Sequence, residues 1–210
     1  MTQVPMVPLV YKLNLNNTTF LQSAPNLLTS PPDKGIEVAF VGRSNAGKSS
    51  AINAIVGKNG LARTSKTPGR TQVMNYFTID DDRRLVDLPG YGYAKVPTRT
   101  KQQIEQLLSE YLSDRQCLHG FFMLMDVRLP LTSYDKQLID FAAQTGKLIH
   151  ILLTKCDKIK RGAANSTLLS VKKSLSTYED QLSIQTFSAL KNLGIEQARE
   201  VLSDWFNFDE

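Results

Sequence analysis

The chain has 210 residues, a formal net charge of +5 and a hydrophobic fraction of 41%. These values suit one soluble domain of generous size with an ample core. The longest apolar runs, residues 121–125 and 148–153, are far too short to span a bilayer, and no secretory signal is recognisable. Two cysteines, Cys117 and Cys156, are too few for a disulfide framework or a metal cage, so we expect reduced thiols and a cytoplasmic protein without a membrane partner.

The first 35 residues differ from the rest, since they are rich in proline, asparagine and threonine. They predict an extended N-terminal arm, with one edge strand near residues 11–15. From residue 36 to residue 207, strand-like runs alternate with helical patterns. Strands are predicted at 36–41, 73–79, 84–88, 120–126, 147–153 and 182–186, and helices at 48–56, 98–113, 132–143, 166–176 and 194–205. This alternation predicts an α/β fold, a three-layer domain whose mostly parallel six-stranded sheet has helices on both faces.

A glycine-containing loop connects the first of these strands to the first helix. It consists of Gly42, Arg43, Ser44, Asn45, Ala46, Gly47, Lys48 and Ser49. The glycines let backbone N–H groups turn towards anionic oxygens, and the helix N-terminus adds a positive dipole end. Lys48 can reach terminal phosphates, and the Ser49 hydroxyl can ligate magnesium. The pattern predicts a phosphate-binding P-loop.

A second motif ends the predicted strand at 84–88. It consists of Asp87, Leu88, Pro89 and Gly90. An aspartate there can hold Mg²⁺ through water, and a glycine can bring its N–H to the terminal phosphate. Such a pattern alone is a common turn, but its position after a P-loop indicates a nucleotide site.

A third motif indicates which base is bound. It consists of Thr154, Lys155, Cys156 and Asp157, at the end of an apolar run. The Asp157 carboxylate can accept from both the N1–H and the exocyclic amine of guanine, whereas adenine offers no such pair. The short sequence Phe187, Ser188 and Ala189 follows the last predicted strand, and its backbone is expected to support the guanine oxygen.

The long polar loop at residues 58–72 lies where a nucleotide-dependent switch is expected. We predict that Thr71 is a magnesium ligand, with Thr64 and Thr67 as alternatives. Gly69, Arg70, Gln72 and Val73 are predicted to join Thr71 at the nucleotide. Arg63, Lys66 and Arg70 make the loop basic, which leads to the hypothesis that it contacts RNA.

The wording of these motifs resembles the EngB (YihA/YsxC) family of bacterial ribosome-biogenesis GTPases, within the class of TrmE-Era-EngA-EngB-Septin-like GTPases. The resemblance is carried by Gly-Arg-Ser-Asn-Ala-Gly-Lys-Ser-Ser, Thr-Pro-Gly-Arg-Thr-Gln, Val-Asp-Leu-Pro-Gly-Tyr-Gly-Tyr-Ala and Leu-Leu-Thr-Lys-Cys-Asp-Lys. It covers residues 36 to 205 and implies one small GTPase-like G domain over residues 36–207. It also implies a GTP/GDP cycle in large ribosomal subunit assembly, with links to cell division and septation.

The catalytic assignments are Lys48, Asn45 and Gly90. Tyr91 stands where many GTPases carry a water-orienting glutamine, so we expect slow unaided hydrolysis in which Tyr91 does not position the water. Asn45 leads to the further hypothesis that K⁺ accelerates turnover; the alternative is that Asn45 only shapes the loop. Tyr91 and Tyr93 are either exposed groups that stack on RNA bases or pack on another protein, or side chains packed on the neighbouring helix.

Two other functions remain open from the sequence. One is a non-catalytic, GTP-dependent module that binds RNA or the ribosome, and the other is a P-loop ATPase or kinase. The Asp157 carboxylate favours GTP over ATP, and no arginine-rich lid typical of a kinase is recognisable. We therefore expect a monomeric GTPase whose partners are guanine nucleotide and a ribosomal subunit or its RNA. His119 and His150 are interpreted as structural.

Overall fold

The computed structural model describes residues 13–63, 73–92 and 97–207. Its strands are β1 (Thr19–Ala24), β2 (Ile36–Gly42), β3 (Met74–Thr78), β4 (Arg83–Asp87), β5 (Leu118–Asp126), β6 (Leu148–Thr154) and β7 (Leu182–Thr186). Its α-helices are α1 (Lys48–Val56), α2 (Thr98–Asp114), α3 (Ser133–Gln144), α4 (Arg161–Ser174) and α5 (Ile195–Phe206). No helix in this part of the chain is both long enough and apolar enough to cross a membrane.

The strands form one sheet in the order β1-β3-β4-β2-β5-β6-β7. The five strands from β4 to β7 in this order pair in parallel, and β3 and β1 add an antiparallel edge. The predicted α/β fold is confirmed, with seven strands in the described residues where six were expected. The additional strand comes from the N-terminal segment, at Thr19–Ala24, after a 3₁₀ turn at Leu15–Asn17. An edge strand was expected near residues 11–15; residues 11 and 12 lie outside the described part of the chain, and Leu15 belongs to the turn.

Alternation along the strands sends side chains to two separate hydrophobic layers. Ala39 and Val41 of β2 face the layer under α2, α3 and α4, and Val38 and Phe40 face the layer under α1 and α5. Strands β2, β5 and β6 are buried along nearly their whole length, as expected for central parallel strands covered on both faces. The result is the predicted three-layer arrangement.

Helix α4 begins five residues before its predicted start at 166, because the helical residues Arg161–Ala163 are exposed and carry no apolar periodicity. Only a narrow stripe of the helix packs on the domain: Ala164 and Val171 are buried, and Leu168 packs against the core. Most of the α4 surface faces solvent. The other helices begin and end within about one residue of their predicted bounds.

The amino ends of the strands are held by a buried ionic cluster around Glu37 of β2. Glu37 Oε1 accepts hydrogen bonds from Arg84 Nε (2.9 Å) and Arg115 Nη2 (2.7 Å), and its Oε2 accepts from Tyr111 Oη (2.9 Å) and Arg115 Nε (2.9 Å). Arg115 Nη2 also donates to the Pro31 carbonyl oxygen at 2.9 Å. The cluster therefore ties the segment that leads into β2 to strand β4 and the end of α2.

Candidate functional site

The P-loop lies between the end of β2 at Gly42 and the start of α1 at Lys48. A Cβ atom at Gly42 would lie 2.7 Å from the Leu124 carbonyl oxygen of β5, so only glycine fits there. Asn45 and Gly47 have φ angles of 63° and 95°, in the left-handed region. These conformations turn the chain sharply into α1, whose first N–H groups have no partner within the helix. The loop therefore has the shape and polarity of an anion-binding site.

Lys48 and Asp87 meet at the mouth of this loop. Lys48 Nζ donates to Asp87 Oδ1, and the two side chains are only 11% and 5% exposed. Asp87 is the last residue of β4, beside β2 in the sheet, and Ser49 follows Lys48 in the first turn of α1. The structure thus brings the first two predicted motifs together, with a flexible cation beside a nearly buried carboxylate.

Backbone hydrogen bonds join the segment after Asp87 to the P-loop. Tyr91 N donates to the Gly42 carbonyl oxygen at 3.3 Å, and Ser44 N donates to the Tyr91 carbonyl oxygen at 2.8 Å. Gly90, which the sequence predicts to contact the terminal phosphate, immediately precedes this pair of bonds. A movement of Gly90 would therefore be transmitted to the P-loop through these two backbone hydrogen bonds.

The Tyr91 side chain is buried, with 1% of its surface exposed. Its hydroxyl donates to Asp135 Oδ1 at 2.6 Å, and its ring stacks on Tyr134 at 4.6 Å between centroids. Burial and the neighbouring Asp135 carboxylate raise the pKa of the Tyr91 phenol. The packed alternative therefore describes Tyr91, and the interpretation of Tyr91 as an exposed RNA-stacking group is wrong.

Asp135 also belongs to the N-terminal cap of α3. Its Oδ2 accepts from Thr132 N at 2.8 Å, and Thr132 Oγ1 accepts from Asp135 N at 3.4 Å, which together form a capping box. One buried carboxylate thus serves both the start of α3 and the residue after Gly90. Sequence reasoning missed this role, because Asp135 lies 44 residues from Tyr91 in the chain.

Side chains of the third motif contact the back of the P-loop. The Thr154 hydroxyl, at the end of β6, lies 2.7 Å from the Ala46 carbonyl oxygen and 3.1 Å from that of Met125. Lys155, whose φ is 58°, donates from Nζ to the Asn45 carbonyl oxygen at 2.6 Å. The predicted base-recognition motif is therefore adjacent to the predicted phosphate loop.

Asp157 is held by the loop after β7. Ser188 Oγ donates to Asp157 Oδ1 at 2.6 Å, and the carboxylate side chain is 8% exposed. The hydrogen bond from Ser188 is the main cause that lowers the pKa of Asp157, so this carboxylate is ionised at neutral pH. Phe187 connects the same two segments, since Cys156 N donates to its carbonyl oxygen at 3.3 Å. Ala189 follows Ser188 and is half-buried. An oriented anion at this place can accept from paired N–H donors.

Two charged residues of this region were not predicted. Asp126 ends β5 and pairs with Lys155 Nζ at 3.1 Å, and Arg128 donates to Asp126 from Nε (2.8 Å) and Nη2 (2.7 Å). The hydrogen bonds from Arg128 hold the pKa of Asp126 well below its usual range. The available signal was the position of a carboxylate at the carboxyl end of a predicted strand. Both residues line a cavity of about 370 Å³ beside the P-loop.

Several predicted residues lie outside the described part of the chain. They are Gly69, Arg70, Thr71 and Gln72, the alternative ligands Thr64 and Thr67, and also Lys66 and Tyr93. Val73 is described and half-buried, and it lines a groove with Pro25 and Gln103 of α2. None of the P-loop residues lines that groove.

Comparison with known proteins identifies the family. Residues 37–155 match the model of a family described as 50S ribosome-binding GTPase. The chain is 50% identical over 194 residues to the probable GTP-binding protein EngB of Colwellia psychrerythraea, covering 92% of this chain and 87% of that protein. The chain belongs to the EngB family of GTP-binding proteins.

Other relatives and structures agree with this assignment. The EngB proteins of Vibrio parahaemolyticus and Coxiella burnetii are 47% and 50% identical over 93% and 89% of this chain, and the matches cover 89% and 91% of those proteins. A crystal structure of a probable EngB has a TM-score of 0.68 at 19% identity and covers 82% of this chain and 99% of its own, which supports the fold. The EngB-type domain described here is a GTPase domain, and its activity is the hydrolysis of GTP.

Proposed function

We propose that this GTPase is a nucleotide-controlled switch that acts on the large ribosomal subunit during its assembly. The observation that carries the proposal is the match of residues 37–155 to a family described as 50S ribosome-binding GTPases. We further propose that normal cell division and septation depend on this role, and that the protein acts as a cytoplasmic monomer.

We propose that the P-loop residues 42–49 hold the phosphates, with Lys48 on the terminal ones. Ser49 and Asp87 would hold Mg²⁺, together with Thr71 of the long loop. The buried contact between Lys48 and Asp87 supports this assignment, because a flexible ammonium group can move from a carboxylate to a phosphate and leave the carboxylate for a cation. The bound Mg²⁺ supplies positive charge that neutralises the phosphate oxygens.

We propose that Asp157 reads the guanine base, with support from Ser188, Ala189 and Lys155. Its carboxylate is ionised and fixed by the Ser188 hydroxyl, so it costs little further ordering to receive two N–H donors. Adenine would leave this anion without a partner, which is the physical basis of selectivity for guanine.

Hydrolysis is proposed to be slow without a partner. The Tyr91 hydroxyl is engaged with Asp135, so it does not orient an attacking water. Asn45 is exposed at the turn of the P-loop, where a K⁺ ion beside the phosphates would stabilise charge that develops in the transition state. A solved NFeoB structure of related fold, 21% identical with a TM-score of 0.58, is described as bound to GDP.AlF4- and K+. Equal turnover in potassium and sodium buffers would remove the K⁺ hypothesis.

The experiment that tests the ribosomal role is co-sedimentation with purified 50S subunits in GDP, GTP and a non-hydrolysable GTP analogue. We expect binding with the analogue, little binding with GDP, and weaker binding as the salt concentration rises. The Lys48→Ala variant is the control for nucleotide dependence. Binding that is the same in every nucleotide state would contradict a switch, and no binding in any state would contradict the ribosomal partner.

A further inference from the structure

Helix α4 and the residues before it form an exposed surface without any negative charge. We call Lys158, Lys160, Arg161, Lys172 and Lys173 the α4 basic face; all five are exposed. The segment 158–178 contains no aspartate or glutamate. Within the described residues, Lys158 is the only member that pairs with a carboxylate, at 3.6 Å from Asp157.

The positions along α4 show how the charges are arranged. Arg161, Asn165, Leu169 and Lys172 follow one another at spacings of four, four and three residues, which places them along one side of the helix. This line lies next to the buried stripe of Ala164 and Val171 and runs for about 16 Å from Arg161 to Lys172. The basic groups therefore stand at both ends of one exposed ridge.

Helix stability does not explain the basic groups at the start of α4. Lys160 is the N-cap residue and makes no side-chain cap hydrogen bond, and the first turn carries no acidic residue. Cations at a helix N-terminus are disfavoured by the positive end of the helix dipole. Helices α3 and α5 follow the opposite rule, with Asp135 and Glu196 in their first turns, whereas α1 and α2 also lack an acidic residue there. A local cost of this kind is typical of residues kept for binding.

We propose that the α4 basic face binds the phosphate backbone of ribosomal RNA. This inference rests on the proposed ribosomal function and names the contact surface. Small polar side chains, Asn165, Ser166 and Ser170, lie among the cations, and such groups commonly donate to phosphate and sugar oxygens. The nearest predicted nucleotide residue is Asp157, in the 3₁₀ turn before α4, so the RNA contact would lie beside the base-recognition loop.

Other partners fit this surface less well. A membrane surface would require a broad apolar face, but Leu169 is the single large apolar side chain exposed on α4, at 66%. A protein partner would be expected to meet aromatic anchors, and α4 contains no aromatic residue. Scattered cations with small polar groups suit a polyanion that is recognised through its backbone.

Charge reversal at the two ends of α4 separates binding from folding. The Lys160→Glu/Arg161→Glu variant places acids at the helix N-terminus, where they stabilise the helix, yet it should weaken RNA binding. The Lys172→Glu/Lys173→Glu variant removes the other end of the face. The matched control is Lys34→Glu/Lys136→Glu, which changes the net charge equally at exposed lysines outside α4.

The measurement is the affinity for purified 50S subunits and for protein-free large-subunit rRNA, with a non-hydrolysable GTP analogue, from 50 to 200 mM KCl. We expect each α4 variant to bind at least about tenfold more weakly than the control at about 100 mM salt, and the slope of log K against log[salt] to become shallower by about 1.5. GDP affinity should stay unchanged in all variants, which shows that the domain is folded.

The outcomes distinguish the two proposals. If the unaltered protein ignores 50S subunits, the ribosomal function fails and this inference fails with it. If the unaltered protein binds and the α4 variants bind as well as the control, only the α4 inference is overturned. If the variants lose 50S binding while the salt slope stays the same and naked rRNA is not bound, α4 contacts a ribosomal protein and the RNA assignment is wrong.

Discussion

The amino and carboxyl ends of the parallel strands both carry charged side chains, but their partners differ. At the amino ends, Glu37 is fully buried and accepts four hydrogen bonds from Arg84, Arg115 and Tyr111. At the carboxyl ends, Lys48 and Asp87 form one side-chain hydrogen bond with each other among the described residues. The first cluster is completed by the chain itself, whereas the second can exchange its partners for a ligand.

This difference separates residues that hold the fold from residues that bind. Removing one partner of a buried and complete cluster leaves a charge without compensation, so the cost appears in folding. Removing a group that completes its bonds only with a ligand leaves folding nearly intact, so the cost appears in binding. Four substitutions test this division, in order of the expected effect.

The largest change is expected for Asp157→Asn at the carboxyl ends. The amide keeps an oxygen for the Ser188 hydroxyl but replaces the other acceptor of the carboxylate with an N–H donor. We expect the preference for GTP over ATP to fall by about 10⁴-fold, since a site built to accept hydrogen bonds loses its basis for discrimination. The preference is measured by competition of GTP and of ATP against a fluorescent GDP analogue.

The control for Asp157→Asn is Lys158→Gln, which removes the charge 3.6 Å from the carboxylate and leaves the carboxylate itself in place. Discrimination should stay as in the unaltered protein. An Asp157→Asn protein that still prefers GTP to the full extent would show that another group reads the base.

The next largest effect is expected for Glu37→Gln at the amino ends. The amide leaves the buried Arg84 without a counter-charge and leaves Arg115 with only the partly exposed Asp33 at 3.7 Å, so the free energy of unfolding should fall by about 3–5 kcal/mol. Urea unfolding measures this change. The exposed Glu179→Gln should change stability by less than about 0.5 kcal/mol. A large loss of GDP affinity in a Glu37→Gln protein that is still folded would contradict the assignment of folding to the amino ends of the strands and of binding to their carboxyl ends.

Tyr91→Phe tests a residue at the carboxyl ends of the strands. Like the residues around Glu37, Tyr91 is buried and its side chain forms a hydrogen bond within the protein. The variant leaves one oxygen of Asp135 without its donor, so we expect a loss of about 1.5–3 kcal/mol in unfolding free energy. Single-turnover hydrolysis should persist, because the Tyr91 hydroxyl donates to Asp135 and we propose that it does not position the water. A rate that falls to near zero would show that it does.

Tyr178→Phe is the matched control, because the Tyr178 hydroxyl also donates to a carboxylate, Asp140, at an exposed site. Bonds of this kind in solvent contribute little, so stability should change by less than about 0.5 kcal/mol. Equal losses in the two variants would show that burial of the Tyr91 hydrogen bond does not matter.

The smallest effect concerns His150, which lies in the middle of β6. Its Nε2 lies 2.8 Å from Gln185 Oε1 and its Nδ1 lies 2.6 Å from Ser183 Oγ; because Oε1 only accepts, Nε2 carries the proton and Nδ1 accepts. Burial lowers the pKa of His150 to about 4, so the folded protein keeps the ring neutral. The contribution of the neutral His150 ring to the free energy of unfolding is complete above about pH 6.5, the pKa of histidine in the unfolded chain. It is lost as the pH falls towards 4.

At pH 5 we expect His150 to lower the free energy of unfolding by about 2 kcal/mol relative to pH 8. Urea unfolding of His150→Gln at both pH values should lack this part of the pH dependence. His119→Gln is the comparison variant for the other histidine. Identical pH profiles of the His150→Gln and unaltered proteins would contradict a neutral buried ring.

Patterns within a short stretch of chain predicted most of the fold. The bounds of α1 and β7 were predicted correctly, because a P-loop defines the start of α1 and turns flank the run at Leu182–Thr186. The position of β1 was not predicted correctly, because Phe20 and Leu21 of this edge strand are both exposed and a bulge between Phe20 and Gln22 interrupts its pairing. An edge strand of this kind has no clear alternation for a sequence to display.

The motifs of the candidate site could be predicted from the sequence, but the hydrogen bonds that join these motifs could not. The residues of the P-loop and of the segment 154–157 could be named from spacing and residue type. The bond between Thr154 and the Ala46 carbonyl oxygen joins residues 108 apart, and the bond between Tyr91 and Asp135 joins residues 44 apart. Such contacts depend on how the strands are ordered in the sheet, which one sequence does not specify.

The bonds from Thr154 and Lys155 to the backbone of Ala46 and Asn45 have a consequence for affinity. They fix the distance between the segment that we propose binds the base and the P-loop that we propose binds the phosphates, before any nucleotide is bound. Little backbone entropy then remains to be lost on association. Since these two segments would contact GDP and GTP in the same way, discrimination between the diphosphate and the triphosphate must depend on segments that contact only the last phosphate.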